Sequence, residues 1–340
     1  MSLIYHKRYL DHILTWGHPE SPERLKAIID RLETVDFKAE ILTPKPASDN
    51  DLKGVHTPEY IEVMKNFGEG WMDPNTYHHE ESYELACLAA GGGLLAAKLA
   101  YDENRPTFVI PRPPGHHAEA NSSGGFCYFN NIAIAAQHLL TRKKSPAERV
   151  AIVDIDVHHG NGTHDIFFNR KDVLYISTHQ WGIYPGTGPA ELTGEGQGEG
   201  YTVNIPFYSG TGDSSFKLAK QQIIEPILKQ YKPSIILISI GTDAHYRDPL
   251  ASLALSSAGY LNLAKHFIKL SKDLCQSRIA FFLEGGYDLN SLAEIVNAIV
   301  ANFNNNKYEL QYTEQLDRDC AGENVVDKVV EVQKNYWELK

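Results

Sequence analysis

The chain is 340 residues long, 42% hydrophobic and 22% charged, with a formal net charge of −11. That size accommodates one large α/β domain or two smaller ones. The acidic balance argues against a phosphate-binding surface, and so against direct nucleic-acid binding, while staying compatible with cationic substrates.

The four cysteines, Cys87, Cys127, Cys275 and Cys320, are far apart and form no C-x-x-C pair. They read as reduced thiols of a cytoplasmic protein, not as a disulfide frame or a zinc knuckle. The opening MSLIYHKRYL has no apolar run behind a basic start and is not expected to be a signal peptide. No uncharged apolar run reaches the roughly 18 residues that a membrane span needs. Leu85 to Ala100 comes nearest, but it contains Lys98 and reads as a buried helix.

In chain order, a short strand is expected from Leu3 to Tyr5, followed by a polar loop ending HPESPER. Ser21 before Pro22 starts a helix, and Thr57 before Pro58 starts another. A long helix is expected from about Glu80 to Tyr101. Its triple glycine, Gly91 to Gly93, is costly in a helix and marks either close packing or a break. Strands then alternate with helices. Strands are expected at Thr107 to Ile110, Val150 to Val157, Val173 to Thr178, Tyr201 to Ile205, Ser234 to Ile240 and Arg278 to Leu283. Helices are expected at Ile132 to Leu140, Ser214 to Gln230, Ser256 to Leu270 and Ser291 to Phe303, with a short one after HHGNGT. The strands are continuous apolar runs, as when both faces are covered, and the alternation implies a parallel sheet between layers of helix. No internal repeat or domain boundary is evident. The whole chain, 1–340, is expected to be a single domain, with about 305–340 a C-terminal extension packed on its outside.

In open parallel sheets, sites form beyond the carboxyl ends of the strands. The chemically interesting residues all fall there: His116 and His117 after one strand, Asp156 and His158 at the end of another, Asp243 after a third, Tyr287 after a fourth. Taken singly each has a bland reading. The tandem histidines suit a surface turn, Asp243 a helix cap, and Tyr287 a core or turn position. Asp154 and Asp156 resist this, because unpaired buried carboxylates are rare. Alternation along RVAIVDIDVHHGNGT puts Asp154, Asp156 and His158 on one face, with Ile155 and Val157 on the other.

Two carboxylates and one imidazole, Asp156, His158 and Asp243, make a three-ligand site with an open position, suited to zinc. A metal there would polarise a carbonyl and acidify water. His116 and His117 suit the base and acid, and Asp154 is placed to orient one of them. The Tyr287 phenol can donate to a developing oxyanion, and Gly285-Gly286 would let backbone approach closely. Together these parts suit metal-assisted amide hydrolysis.

PRPPGHHA, GGFCYFNN, VDIDVHHGNGT, YPGTG, GTDAHYRDPL and LEGGY, in this order, resemble the zinc-dependent histone deacetylase family, which includes acetoin-utilisation proteins and acetylpolyamine amidohydrolases. The HPESPER opening and Asn161 look more like its class II and bacterial branch. The resemblance covers nearly the whole chain. It implies the arginase/deacetylase α/β fold, with a central, mostly parallel eight-stranded sheet. It also implies one zinc per chain, held by Asp156, His158 and Asp243. His117 would do general base and acid work, and His116 would act electrostatically with Asp154 behind it. Asn161 stands behind His117 where some relatives have Asp, so His117 should be less basic than with Asp. Tyr287 matches the transition-state tyrosine. Phe126 and Tyr184 match the walls of an acyl-lysine tunnel, and Gly125 offers a carbonyl to the substrate amide.

The family's structural potassium ion would sit at Asp154, Asp156, His158, Ser177 and Thr178. A second would lie near Phe167, Arg170, Val173 and Tyr201, where Arg170 replaces a smaller residue and brings a cation of its own. Arg24 matches the arginine of an acetate-exit channel. Leu250 stands where one polyamine-selective branch has glutamate, which favours acetyl-lysine peptides or proteins; the acidic net charge keeps an acetylated polyamine or other small amine open. An arginase-like ureohydrolase would want a D-x-D pair after Gly241-Thr242, and only Asp243 follows. A non-catalytic acyl-lysine reader would have no use for the complete set of His116, His117, Tyr287 and metal ligands. An oligomer is compatible with the sequence, which does not specify one.

Overall fold

Apolar runs buried on both faces build the centre of this computed structural model, which describes residues 1–35, 37–316 and 321–340. Cys320 lies outside the described residues; Cys87, Cys127 and Cys275 are free and buried. In chain order the strands are β1 (Ser2–Ile4), β2 (Glu40–Leu42), β3 (Gly70–Asp73), β4 (Thr76–His78), β5 (Thr107–Val109), β6 (Val150–Asp154), β7 (Val173–Gln180), β8 (Thr202–Phe207), β9 (Ile235–Ile240) and β10 (Ile279–Leu283). β3 and β4 form an antiparallel hairpin, and the other eight form one sheet in the order β2-β1-β5-β10-β9-β6-β7-β8. Every pairing in that sheet is parallel.

The sheet divides the interior in two. Along β6, Ala151 and Val153 face one apolar cluster while Val150 and Ile152 face the other. Both faces are therefore desolvated, which is why the strands read as unbroken apolar runs. Eight strands were expected, but the place of β2 is not legible in the sequence. β2 is a three-residue edge strand with Glu40 and Ile41 exposed, too short and one-sided to leave a periodic signal.

The helix Ser82–Asp102 runs unbroken through Gly91 to Gly93. These glycines serve close packing: a Cβ on Gly91 would collide with the Lys45 carbonyl oxygen, and one on Gly93 would come within 2.9 Å of the Asn131 carbonyl oxygen. The helix is long and apolar enough to cross a membrane, yet 72% of its apolar window is buried in the protein, as expected of a core helix. The helix expected from Ser214 to Gln230 is interrupted: Asp213–Ala219 and Glu225–Tyr231 are α-helical, and Lys220–Ile224 between them is a π-turn. Pro226 has no N–H to give the preceding turn, and the wider turn absorbs the mismatch. Near the C-terminus, Ala321–Gln333 is helical. Gln333 Nε2 donates to the Thr202 carbonyl at 3.2 Å and Trp337 Nε1 to the Gly200 carbonyl at 2.8 Å, fastening this segment beside β8.

Candidate active site

Four neighbouring strands, β5, β10, β9 and β6, deliver the site. Their carboxyl ends lead to His116 and His117, to Gly285 and Tyr287, to Asp243, and to Asp156 and His158. The expected strand from Val150 to Val157 stops at Asp154. Ile155 N–H makes a last bond to the Ser239 carbonyl at 2.9 Å. Thereafter carboxylates take the backbone donors: Asp156 N–H goes to Asp154 Oδ1 (3.2 Å), Val157 N–H to Asp243 Oδ1 (3.0 Å) and His158 N–H to Asp156 Oδ1 (2.8 Å). The alternation nonetheless persists, because Ile155 and Val157 are fully buried on the core side.

The ligand atoms of Asp156, His158 and Asp243 all lie within 4.8 Å of one another, the one such trio among the described residues. His158 Nδ1 is 3.1 Å from Asp156 Oδ1 and 3.3 Å from Asp243 Oδ2. Beyond this approach of His158, Asp243 Oδ2 is buried without a hydrogen-bond partner. A Cβ on Gly241 or Gly285 would run into the Asp156 and Asp243 carboxylates, so both glycines leave room for the cluster. Burial opposes charge on His158, but hydrogen bonds to Asp156 and Asp243 carry its pKa up to about 10. Burial also drives Asp243 up, reinforced by Asp156. Asp156 is held below the usual carboxylate range, its burial outweighed by the His116 and His158 cations. Two buried carboxylates and an imidazole, with their ligand atoms this close together, offer the donor set and charge that suit a divalent cation.

The tandem histidines are electrically distinct. His116 Nδ1 lies 3.1 Å from Asp154 Oδ2, and against its burial Asp154 and Asp156 carry its pKa up to about 10. His117 Nδ1 lies 2.8 Å from Asn161 Oδ1. Burial, followed by the His116 and His158 charges, pushes its pKa well below the ordinary value. The surroundings thus favour charge on one ring and disfavour it on its neighbour, 4.0 Å away between centroids.

A cavity of about 210 Å³ opens onto these groups, walled by Phe126, Tyr184, Leu250 and Tyr287. The Tyr184 ring meets His117 edge-on at 5.0 Å, and Phe126 meets Tyr287 edge-on at 6.1 Å. Gly125 and Phe126 both have positive φ, +53° and +71°. A Cβ at Gly125 would strike the His117 ring. The strained Phe126 backbone is pinned by its N–H to Thr76 Oγ1 at 3.1 Å and by the Gly124–Cys127 backbone pair. Arg24 is fully buried and donates to the Gly286 carbonyl (2.7 Å), the Glu284 carbonyl (2.6 Å) and Glu20 Oε1 (3.1 Å). Its guanidinium lies 5.1 Å from the Tyr287 ring centroid.

Of the residues expected at the first potassium ion, Asp154, Ser177 and Thr178 come together. β6 and β7 pair Asp154 with Ser177, and Thr178 Oγ1 reaches the Asp154 carbonyl at 3.4 Å. At the second set, Arg170 is committed elsewhere: it pairs with Asp172 at 2.6 Å, donates to Gln137 Oε1 at 2.6 Å, and lies 5.3 Å from the Phe167 ring centroid. Its neighbours there, Val173 and Tyr201, are tied into the sheet: Val173 pairs with Val150, and the Tyr201 carbonyl accepts Tyr175 N–H at 2.9 Å.

Several site residues had not been singled out. Glu284 Oε2 accepts the N–H groups of Gly115 (2.7 Å) and His116 (3.2 Å), fixing the histidine loop, and Oε1 accepts Ser239 Oγ at 3.1 Å. Burial, with Asp154 and Asp156 opposing its charge, raises its pKa to about 7. Tyr175 donates to Asp154 Oδ2 at 3.2 Å. Asp248 accepts the Tyr287 N–H, and Glu119 accepts from Asn161. Glu284 was accessible to the reasoning applied to Asp154, since a carboxylate ending the apolar run IAFFLE needs partners.

Fold and site define an α/β protein with the arginase/deacetylase architecture and a metal-ligand trio at the rim of its sheet. The histone deacetylase domain model matches residues 18–303. A probable deacetylase of Archaeoglobus fulgidus is 42% identical over 302 residues, 87% of this chain and 83% of the relative. Histone deacetylase 14, chloroplastic, of Arabidopsis thaliana is 38% identical over 303 residues, 82% of this chain and 71% of the relative. The crystal structure of the HDA15 HD domain superposes with a TM-score of 0.88 at 33% identity, covering 99% of this chain and 97% of that one. The chain belongs to the histone deacetylase family.

Proposed function

We propose that this protein is a zinc-dependent amidohydrolase that removes acetyl groups from lysine side chains of peptides or proteins, or from similar acylated amines. The observation that carries this reading is the convergence of His116, His117 and Tyr287 on one cavity beside the Asp156–His158–Asp243 trio. Zinc bound by that trio would polarise the acyl carbonyl and lower the pKa of water.

The rest falls to the protein. The Phe126 and Tyr184 rings hold the aliphatic stem of the substrate, and the Gly125 carbonyl accepts its amide N–H. His117 Nε2 takes a proton from the attacking water as its oxygen bonds to the acyl carbon, while the His116 cation stabilises the developing negative charge. The Tyr287 phenol, whose pKa burial raises far above its ordinary value, stays protonated and donates to the oxyanion. His117 then returns its proton to the amine nitrogen, the C–N bond breaks, and the new acid passes its remaining proton to the amine, so that acetate and the ammonium form of the amine leave.

A structural potassium ion at Asp154, Asp156, His158, Ser177 and Thr178 belongs to the same reading. So does Arg24 as the cation that draws acetate inward. The whole chain acts as one catalytic domain, and the free, buried thiols support a cytoplasmic location. Leu250, exposed at the rim, offers no charge to a cationic tail, which favours acyl-lysine over acetylated polyamines.

The test is a side-by-side screen of zinc-loaded protein against acyl-lysine peptides and acetylated polyamines, with Tyr287→Phe as control. Turnover of acetyl-lysine, lost in the control, is expected. Preferential turnover of polyamines would move the substrate class, and full activity of Tyr287→Phe would overturn the mechanism.

A further inference from the structure

The chain of contacts behind His117 continues past Asn161. Asn161 Oδ1 faces His117 Nδ1 at 2.8 Å, and Asn161 Nδ2 donates to Glu119 Oε1 at 3.0 Å. Glu119 is itself held in place: its Oε2 accepts Ser122 Oγ at 3.1 Å, and its N–H donates to the Ser122 carbonyl at 3.0 Å.

An ionised carboxylate only accepts hydrogen bonds. Glu119 therefore admits one orientation of the Asn161 amide, with NH2 toward Glu119 and the carbonyl oxygen toward His117. That oxygen also only accepts, so His117 Nδ1 must carry the hydrogen, and the lone pair of the neutral ring sits on Nε2. A flipped amide would set Oδ1 against the carboxylate and present an N–H to His117. The opposite tautomer would follow, with hydrogen on Nε2 and no lone pair there to receive a proton. Without Glu119, nothing else among the described contacts of Asn161 Nδ2 separates the two orientations.

We propose that Glu119 is a positioning residue that selects the basic tautomer of His117 through the amide of Asn161. The inference rests on the reading of His117 as the group that receives the water's proton. It assigns to Glu119 a task needed only because position 161 is an amide: a carboxylate there would accept from Nδ1 in either orientation.

The test is steady-state kinetics of the zinc-loaded protein on an acetyl-lysine peptide for Glu119→Ala, Glu119→Gln, Asn161→Asp and the Asn161→Asp/Glu119→Ala double variant, with His117→Ala as reference. Glu119→Ala is expected to lower kcat by about tenfold or more with KM nearly unchanged, as when a group orienting a reacting histidine is removed. Glu119→Gln should restore most of kcat, because its amide oxygen still accepts from Asn161. In the Asn161→Asp background Glu119 only repels the new carboxylate, so removing it should leave kcat unchanged or raise it.

A second readout needs no turnover. In metal-free protein labelled with 15N-histidine, the His117 ring nitrogens should report hydrogen on Nδ1, and Glu119→Ala should show a mixture of tautomers. An unchanged kcat and tautomer in Glu119→Ala would overturn the proposal. So would equal losses in both backgrounds, which would mark a packing role. Full activity of His117→Ala, or an inactive wild type that retains the Nδ1–H tautomer, would overturn the functional reading and leave the tautomer assignment standing.

Discussion

The Asp248 carboxylate accepts the backbone N–H of Tyr287 at 2.7 Å through Oδ2, and the N–H of Leu250 at 3.0 Å through Oδ1. One buried side chain thus sets both Tyr287 and Leu250, in the proposed mechanism the oxyanion donor and the rim residue that incoming substrate passes. Asp248→Ala is expected to lower kcat about tenfold or more, since it frees the Tyr287 backbone, and to raise KM through the rim. Asp248→Asn keeps an acceptor oxygen and should lose less. Kinetics of the two variants check this, and wild-type values for Asp248→Ala would refute it.

Metal content follows from the trio. Zinc added to metal-free protein should raise its melting temperature, because a ligand that binds only the folded state stabilises it by mass action. Asp243→Ala removes a carboxylate whose buried Oδ2 has no hydrogen-bond partner beyond the nearby His158. It should abolish the zinc-dependent shift and lower zinc per chain when elemental analysis is run on both proteins. An equal shift in the variant would show that zinc binds elsewhere.

A buried ion cluster behind the site is expected to contribute to acid stability. Glu20 meets Arg112 Nε and Nη2, the latter at 2.9 Å, and Arg24 Nη1 at 3.1 Å. Burial opposes its charge, but Arg112 and Arg24 lower its pKa to about 2, against an ordinary 4.5. The unfolded carboxylate takes up its proton first, so this stability is complete above pH 4.5 and is lost as pH falls through 2. Burial also lowers His12 to about 3, so its contribution is lost between pH 6.5 and 3. Glu20→Gln should cost about 3–5 kcal/mol at neutral pH, because both guanidiniums lose their counter-charge. Denaturant titrations from pH 7 to 2 should show that difference shrinking below pH 4.5 while the His12 limb persists.

Gly91 makes a packing prediction independent of chemistry. Its Cα faces the Lys45 carbonyl across a gap that no Cβ fits. Gly91→Ala should destabilise the fold by roughly 1–3 kcal/mol or more, despite the better helix propensity of alanine. Thermal unfolding checks the sign, and a stabilised variant would contradict the packing account.

The amino-acid sequence alone determined the local terms of this protein. Unbroken apolar runs specify strands buried on both faces, Pro22 and Pro58 start helices, and Asp154, Asp156 and His158 sit where one run ends. Those residue types already require a counter-charge, because isolated carboxylates are not left in an apolar interior. Only the tertiary structure decided the rest. Strand order is set by packing between distant segments, so nothing local says that β5, β10, β9 and β6 are neighbours and that four loops converge. The three-residue β2 has too little burial to leave a pattern, and β6 ends early because carboxylates at the site outbid the ladder for its N–H groups. The groups that hold His116, Asn161 and Tyr287, namely Glu284, Glu119 and Asp248, are carboxylates at strand ends and in loops, where no periodicity distinguishes a buried acceptor from a solvated charge. Asn161 illustrates the division: its sequence position marks the loss of a charge behind His117, and the fold supplies Glu119 one contact further back.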